Sequence, residues 1–482
     1  MSENDTKFYI DGAWVSPITP KLHTVINPAT EEPAGQISLG SRADVDKAVA
    51  AARRAFASYS QTSAQERIAL LGRIVEGYEA RREDLARAMT LEMGTPITFS
   101  RTVQNALGVG HFKQMAKTLE TYEFDEVVND TLIRREAIGV CGLITPWNWP
   151  INQVTTKLAA ALGAGCTVVL KPSELSPLSV IVLAEILHAA GVPKGVFNLV
   201  NGDGPTVGDA ISSHPDIDMV SFTGSTRAGI LIAKSAADTV KRVTQELGGK
   251  SANIVLPDAD LRKAIPDGLM AAFRNAGQSC IAPTRMLVHR SQLAEIKDIA
   301  RQTVAQMKVG DPMDPSVTVG PLANKAQFEK VQRMIEIGIR EGGTVVCGGA
   351  ERPAGTSRGY FVRPTVFADV TPDMTVVREE IFGPVLSMVT YDSEEEAIAM
   401  ANDSVYGLGA YVQSTDLEHA QRVGSQLRAG RVYLGAHRFP ILDAPFGGYK
   451  RSGNGREMGR WGLEEYLETK ALIGYVRDPA HA

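Results

Sequence analysis

From Thr167 onward the chain alternates short runs rich in β-branched residues with longer stretches of helical period, a rhythm that few folds accommodate. Thr167 to Leu170, Phe197 to Val200 and Met219 to Phe222 read as strands, and Leu178 to Ala190 and Thr226 to Ala237 read as helices. Strands separated by a helix cannot close as hairpins, so this order dictates βαβ crossovers and a parallel sheet. The alternation restarts after Gly249. Asn253 to Leu256, a helix through Phe273, Arg285 to His289, a helix from Ser291 to Met307, Val385 to Thr390 and Gly409 to Gln413 predict a second α/β lobe. A chain of 482 residues that is 44% hydrophobic exceeds the usual size of one core, so two or three lobes with a cleft between them are expected.

Upstream, Ala43 to Ser58 and Ser63 to Met93 read as amphipathic helices, the second opened by a Ser63/Glu66 capping box, and together they predict an all-helical lead-in. Leu132 to Leu143 turns toward strand and is read as an edge hairpin. A net charge of −5, with no window that concentrates Lys and Arg, argues against nucleic acid and membrane partners. Cys141, Cys166, Cys280 and Cys347 are too scattered for a disulfide framework or a zinc site, so no metal is expected and a reducing compartment fits. The polar start Met1-Ser2-Glu3-Asn4-Asp5 lacks the apolar core of a signal peptide, and no run is long enough to span a membrane. A cytoplasmic protein is the expectation.

Cys280, in Gly277-Gln278-Ser279-Cys280, and Glu246, in Glu246-Leu247-Gly248-Gly249-Lys250, are a potential thiolate nucleophile and a potential carboxylate base, each beside glycines that admit a ligand to the backbone. Alone, they equally suit a buried small hydrophobe and a solvated charge. In Ile144-Thr145-Pro146-Trp147-Asn148-Trp149-Pro150, two prolines fix a turn after a strand, so Asn148 either donates to a developing oxyanion or caps the helix that follows. Lys171-Pro172-Ser173-Glu174 ends another strand, where open α/β sheets bind ligands; a carboxylate there accepts from ribose hydroxyls and repels a 2′-phosphate, favouring NAD over NADP. A plain surface ion pair is the alternative. Gly202 to Gly208, which includes Gly204, only superficially matches a dinucleotide fingerprint. Phe222-Thr223-Gly224-Ser225, between a strand and a helix, is better placed to hold a pyrophosphate. Glu380 and Phe382, beside Gly383-Pro384, can meet a second ribose and a nicotinamide or be structural, and Pro445 to Glu457 reads as a functional loop.

These segments, in this order over nearly the whole chain, resemble the aldehyde dehydrogenase superfamily. The resemblance implies Cys280 as nucleophile, Glu246 as general base, Asn148 with the Cys280 amide as oxyanion donors, and Lys157 and Glu457 as a proton route behind the base. Lys171 and Glu174 would hold the adenosine ribose, Ser225 the pyrophosphate and Glu380 the nicotinamide ribose, with Ile144, Thr145, Trp147, Ser173, Leu247 and Phe382 also at the cofactor. It further implies a Rossmann-type dinucleotide-binding domain (1–118 and 138–249) and an α/β catalytic domain (250–449). Residues 119–137 and 467–482 would form a small β oligomerisation arm, with 450–466 returning to the first domain, and a homodimer or homotetramer would follow. Cys280 is flanked by Ser279 and Ile281 rather than by further cysteines, a departure from the vertebrate-type pattern.

Trp149, Phe446 and the stretch from Ala436 to Leu442 are expected to line the aldehyde tunnel, and their aromatics favour an aromatic or medium-length apolar aldehyde. Arg438 could bind a carboxylate, as in a semialdehyde, or simply face solvent. A CoA-acylating enzyme is disfavoured by Glu246, and a non-catalytic protein on the same fold has no need of Cys280, Glu246 and Asn148 together.

Overall fold

The computed structural model describes residues 3–435 and 441–476. Two large sheets organise it. In the first, five parallel strands, Val140–Ile144 (β1), Thr167–Lys171 (β2), Phe197–Leu199 (β3), Met219–Thr223 (β4) and Arg242–Glu246 (β5), lie in the spatial order β3-β2-β1-β4-β5. The chain runs outward from β1 in one direction and then returns to add β4 on its other side. Between β1 and β4 lies the switch point where the carboxyl ends of the strands open a crevice. Because strand side chains alternate, Val168 and Leu170 enter one apolar core while Val169, between them, enters the other. Both faces are therefore covered, which is why β2 reads as a continuous apolar run.

The second sheet contains Ala252–Val255 (β6), Arg285–His289 (β7), Thr344–Cys347 (β8), Thr365–Ala368 (β9), Val385–Tyr391 (β10), Gly409–Gln413 (β11) and Arg431–Leu434 (β12), in the order β8-β9-β10-β7-β6-β11-β12. All pairs are parallel except β8 with β9. A separate sheet joins Asp125–Val128, Thr131–Ala137 and Leu467–Ile473, the last two pairing from Leu467↔Ala137 to Ile473↔Thr131. Among the described residues no helix is long and apolar enough to cross a membrane.

Three local expectations are corrected. The lead-in is not all helical: Phe8–Ile10, Ala13–Val15, Leu22–Ile26 and Pro33–Ser38 are strands, and the first extends the large sheet beyond β3 through Tyr9↔Leu199. Strands this short show little period of their own and form by pairing at an edge. The stretch from Ser63 to Met93 is two helices, Ala64–Ala80 and Arg82–Met93, broken at Arg81, whose guanidinium reaches Glu185 on another helix at 3.1 Å. Each half keeps its own helical period, so the break leaves no sequence signature, although the Ser63/Glu66 capping box forms as expected. Finally, Leu132 to Leu143 is not one hairpin. Thr131–Ala137 pairs backward with Asp125–Val128, and β1 goes on to the centre of the large sheet.

Candidate active site

The crevice at the carboxyl ends of β1, β2, β4 and β5 is a cavity of about 530 Å³. Ile144, Thr145, Trp147 and Asn148 enter it from β1, and Lys171, Ser173 and Glu174 from β2. Phe222, Gly224 and Ser225 follow β4, Leu247 follows β5, Gly204 lies on a neighbouring turn, and Glu380 and Phe382 close the far side. The structure thus gathers into one wall residues that the sequence scatters from 144 to 382. Lys171 is buried and its ammonium is already engaged, donating to the carbonyls of Pro172 (2.8 Å) and Gly202 (2.7 Å) with Glu174 Oε2 at 3.5 Å. It therefore braces Glu174, whose carboxylate is the partly exposed group of the pair.

Ser225 caps the helix Thr226–Ala236, accepting from the Ala228 amide, so the positive end of that helix faces the cleft. Glu380 accepts from the Gly249 amide at 2.9 Å. Phe382 holds φ at +60°, a strained conformation for a bulky residue, and stands edge-on to Trp147 with ring centroids 5.5 Å apart. This set combines a helix N-terminus for phosphate, carboxylates for sugar hydroxyls and flat aromatic surface, the donor set of a dinucleotide. Gln327 and Lys330 also line the cleft, holding the carbonyls of Ile381, Phe382 and Glu380. They lie on an ordinary amphipathic helix and carried no motif.

Cys280 follows a distorted turn in which Asn275, Ala276 and Gly277 all have positive φ (55°, 54° and 74°). A Cβ on Gly277 would stand 2.1 Å from the Gly383 carbonyl oxygen, so the loop closes this tightly only with glycine there. Asn148 is buried against the same loop: its Nδ2 donates to the Gln278 carbonyl at 3.1 Å, and Asn275 Nδ2 donates to the Asn148 carbonyl at 2.8 Å. Asn148 does not cap the helix Pro150–Ala164, which has no side-chain cap. Its amide is instead aligned with the cysteine loop.

Glu246 ends β5 with its side chain 3% exposed and neither carboxylate oxygen hydrogen-bonded. Burial, and then the negative field of Glu457, push its pKa well above the usual carboxylate range, against the pull of Lys157. Lys157, fully buried, pairs with Glu457. The three form one buried charge cluster behind Cys280. Burial also pushes the Cys280 thiol up, followed by the fields of Glu246, Glu380 and Glu457. Without cofactor, alkylation of Cys280 by iodoacetamide, followed on its own peptide, should therefore have a midpoint above the free-thiol value of about 8.5. Glu246→Gln should move that midpoint down by removing a negative neighbour. A midpoint below the free-thiol value would mean that these carboxylates do not face the sulfur.

A second cavity opens on the other side of Cys280, walled by Leu107, Trp149, Ile281, Ile441, Leu442, Phe446 and Met458, with Asn152, Gln153, Arg431 and Glu457. Trp149 is fixed by donating its indole N–H to Ser279 Oγ at 2.8 Å. Arg431 holds the carbonyls of Ile441, Ala444 and Pro445 and stacks on the Phe446 ring. Among the described residues, Cys280 is the single one common to the walls of both cavities. Arg438 lies outside the described residues.

Residues 14–472 match the model of the aldehyde dehydrogenase family. The chain belongs to that family. It is 53% identical to 3-succinoylsemialdehyde-pyridine dehydrogenase of a Pseudomonas species, over 97% of this chain and 98% of that one. Among solved structures it superposes with a TM-score of 0.98, at 56% identity, on a mutant of aldehyde dehydrogenase C from Pseudomonas syringae in complex with NAD+ and octanal, covering 99% and 98% of the two chains. An aldehyde dehydrogenase from Bartonella henselae gives a TM-score of 0.96 at 48% identity, covering 98% and 99%. The α/β architecture is thus that of aldehyde dehydrogenases, and the chain is an oxidoreductase acting on aldehydes.

Proposed function

We propose that this aldehyde dehydrogenase oxidises a medium-chain or aromatic aldehyde to its carboxylic acid with NAD, through a covalent intermediate on Cys280. The observation that carries the reading is the position of Cys280 between a dinucleotide-shaped crevice and a mainly apolar pocket. Once deprotonated, the Cys280 thiolate attacks the aldehyde carbonyl, and its negative charge passes to the carbonyl oxygen of the thiohemiacetal anion. The oxygen then carries negative charge, and in this reading the Cys280 amide and the Asn148 Nδ2 group, which donates to the Gln278 carbonyl of the same loop, stabilise it. Bound in the crevice, NAD supplies the two-electron acceptor that converts the thiohemiacetal to a thioester. Glu246, buried and with a raised pKa, then takes a proton from water as the water attacks the thioester. Glu457 and Lys157 behind it offer the exit for that proton.

Glu174 supports NAD over NADP, since a 2′-phosphate would meet its carboxylate. Glu174→Ala should narrow the NAD/NADP ratio of kcat/KM by about tenfold or more. An unchanged ratio would remove Glu174 from cofactor selection. The pocket supports the substrate class: its walls are mainly hydrocarbon, and its described cation, Arg431, is occupied by backbone carbonyls. The aldehyde dehydrogenase C complex contains octanal, a medium-chain aldehyde. The relationship to a semialdehyde dehydrogenase supports a second reading, an aldehyde with a further polar group. NADH formation across a panel of alkanals, aromatic aldehydes and carboxylated semialdehydes tests both. The first reading expects octanal or benzaldehyde to lead the panel in kcat/KM, and preference for a carboxylated semialdehyde would replace it. CoA should leave the product unchanged.

For the arrangement around this chemistry, the reading assigns 1–118 and 138–249 to cofactor binding and 250–449 to catalysis, with 450–466 returning to the first of these. The segments 119–137 and 467–482, which contain the small sheet of Asp125–Val128, Thr131–Ala137 and Leu467–Ile473, are proposed as the arm for assembly into a homodimer or homotetramer. Exposed Val128, Leu472 and Ile473 on its described strands support that role.

A further inference from the structure

The pocket beside Cys280 is not uniformly apolar. Asn152 and Gln153 bring two side-chain amides into it from the first turn of the helix Pro150–Ala164. Every residue of that helix is buried except Asn152, whose exposure is to this pocket. Asn152 is also held in one orientation. Its Oδ1 lies 2.9 Å from His111 Nε2, on the helix Asn105–Thr121. An amide oxygen can only accept, so Nε2 carries the proton.

Burial lowers the His111 pKa to about 4; the Asn152 bond opposes this, and the positive field of Arg431 adds to it. The ring is thus neutral at pH 7, with its single proton committed to Asn152. The consequence falls on the other end of the amide. Because the amide oxygen faces His111, Asn152 Nδ2 is turned away from that ring, on a residue that lines the pocket. A donor presented at a largely hydrocarbon wall is favourable only when an acceptor meets it.

We propose that Asn152 is a specificity-determining donor that recognises a neutral acceptor, a ketone, ester or ether oxygen, in the tail of the aldehyde, and that His111 is the positioning residue that aims it. This rests on the reading of the pocket as the aldehyde site. The acceptor is neutral because the only described cation lining the wall, Arg431, is committed to the carbonyls of Pro445, Ile441 and Ala444, and Glu457 in the same wall is already paired with Lys157. A tail carboxylate would find no free cation among the described residues. A tail carbonyl would meet the N–H groups of Asn152 Nδ2, with the Gln153 amide in the same wall.

The test compares 4-oxooctanal with octanal, two aldehydes of equal length that differ by one acceptor, in the wild type and in Asn152→Leu, Asn152→Asp and His111→Phe. The wild type should favour 4-oxooctanal. Asn152→Leu and Asn152→Asp should each lower its kcat/KM about tenfold relative to that of octanal, mainly through KM. His111→Phe should narrow the same ratio by releasing the amide. Damage to packing would lower both substrates together and leave the ratio unmoved, and that result overturns the proposal. So does a wild type that oxidises octanal with no preference for the ketone, leaving the aldehyde reading intact. A wild type that oxidises neither substrate overturns both.

Discussion

Replacing Cys280 by alanine is expected to lower kcat by roughly 10⁴-fold or more while NAD still binds. The magnitude follows from losing a covalent route rather than a contact, since the neighbouring hydroxyl, Ser279, lines only one of the two cavities and accepts from the Trp149 indole N–H. The retained binding follows from geometry: the positions proposed for ribose, phosphate and nicotinamide lie on β1, β2, β4 and the Glu380 loop, none of which depends on the sulfur. NAD titration by intrinsic fluorescence, run beside turnover, separates the two effects. Turnover within tenfold of the parent would remove Cys280 from the nucleophile role.

Glu246→Gln is expected to split the reaction at its midpoint. The amide is nearly isosteric with the carboxyl but cannot accept a proton from water, so hydrolysis of the thioester slows while its formation survives. Steady-state turnover should fall by about 10² to 10⁴-fold. Stopped flow should still show a burst of NADH approaching one equivalent per site. The pH dependence of the parent enzyme follows the same group. Because burial and Glu457 raise the Glu246 pKa, the base is protonated and idle at low pH, and the hydrolytic step gains as pH rises through that raised value. In the variant this limb of the deacylation rate should vanish.

Much of the site was legible because its chemistry sits in short contiguous segments at strand ends. Asn148, Lys171 and Ser225 each follow a β-run, and that placement in a βαβ rhythm puts them on one crevice, whereas the strand Arg242–Glu246 was not read and Glu246 stood out only by the glycines that follow it. Most of the parallel strands were legible for the same reason, since burial on both faces leaves apolar centres such as those of Arg285–His289 and Gly409–Gln413, but Arg242–Glu246, Thr365–Ala368 and Arg431–Leu434 were not read. Features created by tertiary contact were not. The strand Phe8–Ile10 exists because it pairs at the edge of a sheet, and the helix break at Arg81 involves a carboxylate far along the chain. Gln327, Lys330, Arg431 and His111 sit on regular elements whose periodicity reveals burial but not what they hold. Their roles appear only when the carbonyls they bind, or in His111 the amide it orients, are brought beside them.

The central claim is that oxidation and hydrolysis pass through an acyl group on Cys280. It is tested most directly by mixing Glu246→Gln with NAD and octanal, quenching in acid within the burst, and mapping the protein by mass spectrometry. The account predicts an octanoyl thioester on the peptide that carries Cys280, in amount equal to the NADH released. An NADH burst with no acyl group on that peptide, or with the group on another residue, would contradict it.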